Sequence, residues 1–97
     1  MSAYIIARVN LTDPETYKKY TAQTPGTVAQ FGGKFIARGG QNALLEGNDP
    51  EFNRVVIIEF PSYEQAQAWY NSPEYQKILP IRQGASESQV ILVEGAA

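Results

Sequence analysis

The sequence predicts an α+β fold in which a four-stranded antiparallel sheet carries helices on one of its faces. The prediction starts from four short stretches rich in β-branched or aromatic residues, with helical signals after the first and after the third. It is strengthened by a helix start of similar form in each half of the chain. With 97 residues, 43% of them hydrophobic, the chain is expected to form one domain with a small core.

The first half predicts a strand, a helix and a second strand. Residues 3–10 (AYIIARVN) form the first predicted strand, and a T-x-x-E capping box at Thr12–Glu15 predicts the helix start. Side chains at helical spacing then lie on one face: Tyr17, Tyr20, Thr24, Val28 and Phe31. Pro25-Gly26 interrupts this stretch, so we expect a kink or two short helices. Residues 34–38 (KFIAR) form the second predicted strand.

The second half repeats this pattern. Residues 54–60 (RVVIIEF) predict an interior strand, and residues 42–50 (NALLEGNDP) before it predict a short strand or hairpin arm. Ser62 and Gln65 form a second capping box, and Ser72 before Pro73 marks another helix start. Residues 88–95 (SQVILVEG) predict the last strand. This element order is that of the split βαβ, ferredoxin-like plan.

Alternation along the strands divides their side chains between two faces of the sheet. The face expected beneath the helices carries Ile5, Ala7, Val9, Phe35, Ala37, Val56, Ile58, Phe60, Ile91 and Val93. The opposite, mixed face is expected to carry Tyr4, Ile6, Arg8, Ile36, Arg38, Val55, Ile57, Glu59, Val90, Leu92 and Glu94. An exposed apolar patch of this extent on a small chain predicts a homodimer in which the two mixed faces pack together.

Five stretches together suggest a family: FGGKFIARGG, LLEG, RVVIIEFPS, AWYNSPEYQ and ILVEG. In this order and spacing, from Tyr4 to Gly95, they resemble the domain-of-unknown-function family numbered 1330, in the dimeric α+β barrel superfamily. The resemblance implies a ferredoxin-like homodimer whose two sheets form a barrel, with a cleft between sheet and helices. Relatives in the superfamily include cofactor-free monooxygenases, lactone isomerases and haem-handling enzymes, whereas the family itself has no agreed activity.

The composition excludes several kinds of chemistry. The chain has no cysteine and no histidine, so thiol nucleophiles, Ser-His triads, histidine-ligated haem and thiolate or imidazole metal sites are excluded. We therefore expect no metal, flavin or haem cofactor. A net charge of −2 with scattered bases argues against nucleic acid as a partner. The absence of a long apolar run or signal-peptide pattern predicts a cytoplasmic protein without membrane contact.

Two arginines are the main candidates for ligand binding. Arg38 ends a strand just before two glycines and is suited to clamp a carboxylate or enolate oxygen. The alternative for Arg38 is a structural ion pair with Glu46, Glu59 or Glu94. Arg82 lies on the helical stripe of Tyr75, Ile78 and Leu79. The alternative for Arg82 is a stabilising cation near the helix C-terminus.

The remaining candidates are a carboxylate, an arginine and two tyrosines. Glu59 is the best general-base candidate, because partial burial would raise its pKa; the alternative is an ion pair with Arg8, a further candidate ligand-binding residue. The aromatic stretch at 62–76 predicts mostly core, since Ala66, Trp69 and Tyr70 recur at helical spacing. The hydroxyl groups of Tyr70 and Tyr75 are nevertheless expected to reach the cleft, where they would contact a ligand.

Three functions are consistent with these features. One is a module that binds a small apolar or aromatic acid, and another is a cofactor-free, monooxygenase-like or isomerase-like enzyme using Glu or Tyr for proton abstraction. The third is a purely structural dimer, which pairing of Arg8, Arg38, Glu59 and Glu94 with one another would favour. An unpaired cleft-facing oxygen on Glu59 or on a tyrosine would favour the enzyme.

Overall fold

The computed structural model describes residues 1–96, and its elements follow the predicted order. They are β1 (Ala3–Leu11), α1 (Pro14–Thr21), α2 (Thr24–Gln30), β2 (Lys34–Arg38), β3 (Arg54–Phe60), α3 (Tyr63–Tyr70), α4 (Pro73–Ala85) and β4 (Ser86–Glu94). The strands form one antiparallel sheet in the order β2-β3-β1-β4, and the helices pack on one of its faces. The predicted ferredoxin-like α+β fold is therefore confirmed.

The helix starts follow side-chain capping, with one difference from the prediction. Asp13, not Thr12, caps α1: one carboxylate oxygen of Asp13 accepts a hydrogen bond from the backbone N–H of Thr16 at 3.2 Å, and the other from the Thr16 hydroxyl at 2.6 Å. The same hydrogen bonds hold the pKa of Asp13 below its ordinary value, because they favour the charged carboxylate. The predicted Thr12–Glu15 box is therefore wrong.

The two serine caps and the proline interruption are confirmed, whereas the Gln65 side chain of the predicted Ser62–Gln65 box donates instead to the backbone oxygen of Phe31 at 2.9 Å. The hydroxyl oxygens of Ser62 and Ser72 each accept a hydrogen bond at 3.1 Å, from the backbone N–H groups of Gln65 and Tyr75 respectively. Caps of this kind are worth about 1 kcal/mol each. The interruption at Pro25-Gly26 appears as two short helices, since α1 ends at Thr21 and α2 begins at Thr24.

The connection between β2 and β3 is a loop, so the strand or hairpin arm predicted at 42–50 is wrong. No residue of this segment pairs with a strand. Instead the Asn42 side-chain amide donates hydrogen bonds at 3.0 Å to the backbone oxygens of Gly40 and Asn53. Leu44 and Leu45 are both exposed in this loop.

The face assignment predicted for β4 is wrong by one residue. Leu92 pairs with Ile5 and Val90 with Ala7, so Val90 and Leu92 pack beneath the helices. Ile91 and Val93 lie exposed on the opposite side. Glu94 pairs with buried Ala3 and likewise leaves the mixed face. We call the helix-free side of the sheet the open face; its large apolar side chains are Tyr4, Ile6, Ile36, Val55, Ile57, Ile91 and Val93.

A bulge in β2 produces a second correction. Phe35 pairs with Ile58 and Arg38 with Val56, so two residues of β2 between these pairs lie opposite one residue of β3. Arg38 therefore lies on the helix-covered side of the sheet, not on the mixed face. Ala37 pairs with Ile57 and lies on the open face, opposite to its predicted side.

The core is built from aromatic rings between the helices and the sheet. The ring centroids of Trp69 and Tyr75 are 4.1 Å apart, and those of Trp69 and Phe60 are 5.4 Å apart. Tyr20 meets Tyr75 edge-on at 6.2 Å. These four rings are buried, as the helical spacing in the sequence predicted for most of the aromatic residues. We call them the aromatic cluster.

The close packing at Gly33 generates a stability prediction. A Cβ atom at Gly33 would lie 2.6 Å from a ring carbon of Phe60 and 2.8 Å from a methyl carbon of Val28. We expect Gly33→Ala to lower the free energy of unfolding by about 1–3 kcal/mol through overpacking. Urea unfolding monitored by Trp69 fluorescence measures this change.

The control is Gly26→Ala. No atom of residues 1–96 lies within 4 Å of a Cβ placed at Gly26, and the residue is helical, so this variant should be neutral or gain up to about 1 kcal/mol. Equal unfolding midpoints for the two variants would contradict the predicted packing at Gly33.

Candidate functional site

A cleft lies between the helices and the covered face of the sheet. It is lined by Ile5, Ala7, Val9, Tyr17, Tyr20, Thr21, Thr24, Phe35, Arg38, Arg54, Val56, Ile58, Trp69, Tyr75, Arg82 and Val90. The void inside it measures about 40 Å³, which is room for a few water molecules. The lining is mostly apolar, and its charged members are all arginines.

Each of the three arginines lies against an aromatic ring. The guanidinium carbon of Arg38 is 4.5 Å from the ring centre of Phe35, that of Arg54 is 5.4 Å from Tyr17, and that of Arg82 is 6.0 Å from Tyr20. A cation–π contact is electrostatic and does not by itself use an N–H group as a hydrogen-bond donor to an acceptor. The cleft therefore contains three guanidinium groups whose N–H groups can donate hydrogen bonds to a ligand.

None of these cations has a carboxylate partner in the described chain. The ion pairs formed by residues 1–96 join Lys18 to Glu15 and Lys34 to Glu59, and no arginine takes part. The lining of the cleft includes neither Asp nor Glu. An anion entering the cleft would therefore not have to displace an internal one.

Arg82 is the most deeply buried of the three, with 7% of its surface exposed. Burial disfavours the charged guanidinium, but the neighbouring Tyr75 and Tyr20 hydroxyl groups outweigh it, and the pKa of Arg82 is raised. Arg82 therefore keeps its charge at every accessible pH. A buried cation without a counter-ion is costly, which makes it a candidate for function.

Two buried hydroxyl groups stand beside Arg82. The oxygens of Tyr20 and Tyr75 are 2.7 Å apart, and one hydroxyl donates to the other. Burial raises the pKa of Tyr20 far above its ordinary value, and the nearby Tyr75 adds to this effect. Tyr20 is therefore a neutral phenol at physiological pH and is unsuited to act as a base.

The structure brings together three of the predicted ligand-binding residues. Tyr75, Arg82 and Arg38 all line the cleft, although Arg38 reaches it by way of the bulge. Tyr70 lies instead in a groove of about 270 Å³ beside β4, which Arg82 also lines. The ring of Tyr70 packs against Tyr75 at 5.5 Å, so it supports the cleft from behind.

Arg8 and Glu59 lie on the open face, away from the cleft. Arg8 donates hydrogen bonds to the Gln89 side chain at 3.1 Å and to the backbone oxygen of Asp49 at 3.2 Å. Glu59 pairs with Lys34 at 3.5 Å and accepts a hydrogen bond from the Tyr4 hydroxyl at 3.3 Å. The alternative of an Arg8–Glu59 ion pair is wrong, since the two residues are separated by four positions of the β1–β3 register.

The predicted four-charge group on the mixed face does not form. Arg38 and Glu94 have left that face, and the ion pairs within residues 1–96 join none of the four charges to another. Pairing of all four was the feature expected of a purely structural dimer, so that hypothesis loses its support.

Arg54 is the cleft residue that the sequence analysis missed. It is the first residue of β3, in phase with Val56, Ile58 and Phe60 on the covered face. Extending the two-residue alternation of β3 back by one step identifies it. Because Arg54 is the first residue of the predicted strand, it was assigned to neither face of the sheet in the sequence analysis.

These elements define a ferredoxin-like α+β domain with a basic, aromatic-walled cleft. Within this class, residues 2–96 match the family described as domain of unknown function (DUF1330), and the chain belongs to that family. The comparison with curated proteins found no match. In residues 1–96, no helix is long and apolar enough to cross a membrane, and no three acidic side chains are grouped to hold a metal ion.

Several solved structures share the fold. A protein of unknown function from Rhodopseudomonas palustris has a TM-score of 0.81 at 22% identity, with 99% of this chain and 83% of that chain covered. A dimeric ferredoxin-like protein of unknown function from Jannaschia scores 0.74 at 15% identity, with 98% and 100% covered. SnoaB, a cofactor-independent oxygenase from Streptomyces nogalater, scores 0.62 at 12% identity, with 99% and 94% covered. Likeness at these identities shows the fold alone.

The raised pKa of Tyr20 predicts a loss of stability in strong alkali. Above pH about 10 the unfolded chain releases the Tyr20 proton while the folded chain retains it, so the free energy of unfolding falls as pH rises. Tyr20→Phe removes the titrating hydroxyl group, so the free energy of unfolding of this variant should depend less on pH above 10. Urea titrations at pH 8 and above 10 measure the difference. An identical pH dependence in both proteins would contradict the assignment.

Proposed function

We propose that the protein binds a small acid with an apolar or aromatic body in the cleft. The observation that carries this proposal is the set of three arginines in a mostly apolar lining that includes no carboxylate. Arginine N–H groups suit a carboxylate, because two parallel hydrogen bonds match its geometry. Apolar side chains on the sheet side of the cleft would contact the body of the ligand.

The tyrosine pair adds a directional contact. One of the two hydroxyl hydrogens is used between Tyr20 and Tyr75, so one remains to be donated elsewhere. Donation to an oxygen of the ligand would place the acid group between this hydroxyl and Arg82. The remaining hydroxyl hydrogen favours an acceptor on the ligand, which a carboxylate supplies and a protonated amine does not.

The size of the void limits the ligand. A space of about 40 Å³ is smaller than benzene needs, so lining side chains must move when an aromatic acid enters. Arg38 is exposed, and its guanidinium donates one long hydrogen bond, of 3.3 Å, to the backbone oxygen of Thr21. We expect Arg38 to swing aside on entry and then to contact the acid.

The cofactor-free enzyme is less well supported than binding alone. Proton abstraction needs a base within hydrogen-bond reach of the substrate. Glu59 is held on the open face by Lys34 and Tyr4, and the pKa of Tyr20 is raised by burial. The likeness to SnoaB is one of fold and adds no catalytic residue here.

The assembly proposed with this function is a homodimer formed by the open face. Ile6 pairs with Ile57 on one side and with Ile91 on the other, which makes a row of isoleucines across three strands. With its apolar neighbours the row forms a contiguous patch of the kind that marks interfaces. The fold of the dimeric Jannaschia protein is consistent with a two-fold partner on this side.

The acid-binding proposal predicts a selective response to benzoate. Benzoate should raise the unfolding temperature of the wild-type protein, and neutral benzamide should not. At one hundred times its dissociation constant, a ligand adds about 2.7 kcal/mol to stability. Arg82→Met should abolish the benzoate response without lowering the stability of the free protein, because it removes an unpaired buried cation.

Two further variants sharpen this test. Arg38→Met should weaken the response, whereas Lys19→Met, which removes an exposed cation of α1 outside the cleft, should leave it unchanged. If Arg38→Met or Arg82→Met instead unfolds the protein, the arginine in question has a structural role. If carboxylates never raise the unfolding temperature while phosphate does, the proposed ligand class is wrong.

The dimer proposal predicts that Ile91→Glu gives a folded monomer. Ile91 is 59% exposed in the single chain, so the charge costs little within the fold, but it would be buried unpaired between two sheets. Light scattering at micromolar concentration measures the mass, and circular dichroism checks the fold. Ala68→Glu adds the same charge on an exposed helix position and should stay dimeric. A monomeric wild-type protein would refute the dimer.

A further inference from the structure

Arg54 differs from the other two arginines in how it is held. It is half-buried, and its Nε atom is shut off from solvent with no hydrogen-bond acceptor in residues 1–96. Its guanidinium lies over Tyr17, and no carboxylate in the described chain pairs with it. Leaving a desolvated guanidinium without an acceptor is unfavourable, and an incoming anion would relieve this.

The backbone beside Arg54 is shaped to admit its guanidinium. Gly39 follows the last residue of β2 with φ of +70°, and a Cβ atom there would collide with an Nη atom of Arg54. The backbone N–H of Gly39 is fixed by a hydrogen bond of 2.9 Å to the oxygen of Val55. A side chain at position 39 would meet the guanidinium, so the glycine leaves free the space that the guanidinium occupies.

Arg54 and Arg82 occupy different parts of the cleft wall. Arg54 lies over Tyr17 and Arg82 over Tyr20, and these two rings are neighbours with centroids 5.5 Å apart. One carboxylate held by Arg82 and Arg38 would leave Arg54 without an anion. A ligand with two acid groups a few bonds apart would place one carboxylate at Arg82 and the other at Arg54.

We propose that Arg54 forms a second anion subsite and that the ligand of the cleft is a short dicarboxylate with an apolar or aromatic body. This inference rests on the proposed function and names its ligand class more narrowly. The first acid group binds at Arg82, Arg38 and the tyrosine pair, and the second at Arg54. The apolar body between the two acid groups lies along the covered face of the sheet.

The test compares benzoate, phthalate, isophthalate, benzamide and inorganic phosphate by isothermal titration calorimetry with the full chain. For the wild-type protein we expect the better of the two dicarboxylates to bind at least tenfold more tightly than benzoate, because it gains a second charge-assisted contact. We expect benzamide not to bind and phosphate to bind more weakly than the dicarboxylate.

Variants of Arg54 test whether this residue causes the tighter binding of the dicarboxylates relative to benzoate. Arg54→Met should reduce dicarboxylate affinity to that of benzoate and change benzoate affinity less than twofold. Arg54→Lys keeps the charge without the fork and should retain part of the advantage, and it serves in place of Arg54→Met if that variant does not fold. Lys19→Met is the matched control for loss of one positive charge and should leave the ratio of affinities unchanged.

The outcomes separate this inference from the function on which it rests. If no acid binds, the proposed function fails and the dicarboxylate with it. If benzoate binds as tightly as both dicarboxylates, the function stands and the second subsite is refuted. Tighter binding of phosphate than of any dicarboxylate also refutes the dicarboxylate class. An equal loss of benzoate and dicarboxylate affinity in Arg54→Met would also refute the second subsite, because Arg54 would then act on the whole cleft.

Discussion

The packing of large aromatic rings between helices and sheet is the interaction on which the rest of the structure depends. Trp69 and Tyr75 join α3 to α4, and the hydroxyl pair of Tyr20 and Tyr75 attaches α1 to them. The Trp69 indole N–H donates to the Thr27 hydroxyl at 3.0 Å and thereby brings in α2. Because Trp69, Tyr20 and Tyr75 also line the cleft, the core and the candidate site share the same atoms.

Charge is distributed unevenly over this small molecule. The chain carries a net charge of −2, and of its ten acidic side chains all but Glu59 are exposed. The arginines of the cleft are held instead among apolar and aromatic groups. A cavity lined by one sign of charge with low-dielectric walls concentrates the field within it, so a weakly acidic protein presents a positive interior site. Keeping these cations unpaired costs stability, which is the trade-off expected if the cleft has the binding function proposed above.

The sequence predicted the order of elements because that order depends on local signals. Serine caps, proline interruptions and apolar strands act over a few residues, and Ser62, Ser72 and Pro25 all behaved as predicted. The faces of β2 and β4 depend on pairing, which is not local. Residues 90–93 are apolar without a break, so alternation in the sequence does not distinguish their two sides.

The candidate site was predicted in part for the same reason. Tyr75 and Arg82 lie on one helical stripe, which three- and four-residue spacing identifies. Arg38 was predicted as a ligand-binding residue, and it lines the cleft, but its predicted face was wrong. The five residues of β2 give no sequence signal for the bulge that changes its side. Glu59 was a candidate through its expected burial alone, and the structure places it beside Lys34 on the other side of the sheet.

The bulge in β2 has a consequence for changes in chain length. Phe35 and Arg38 are separated by an odd number of positions, so regular pleating would place them on opposite sides, and the bulge keeps both on the covered side. Deleting or inserting one residue between them would make the separation even, and regular pleating alone would then keep both on that side. Since β2 is an edge strand with a single neighbour, such a change disturbs only one ladder. Inserting or deleting one residue between Phe35 and Arg38 would therefore still leave the Arg38 guanidinium on the cleft side of the sheet.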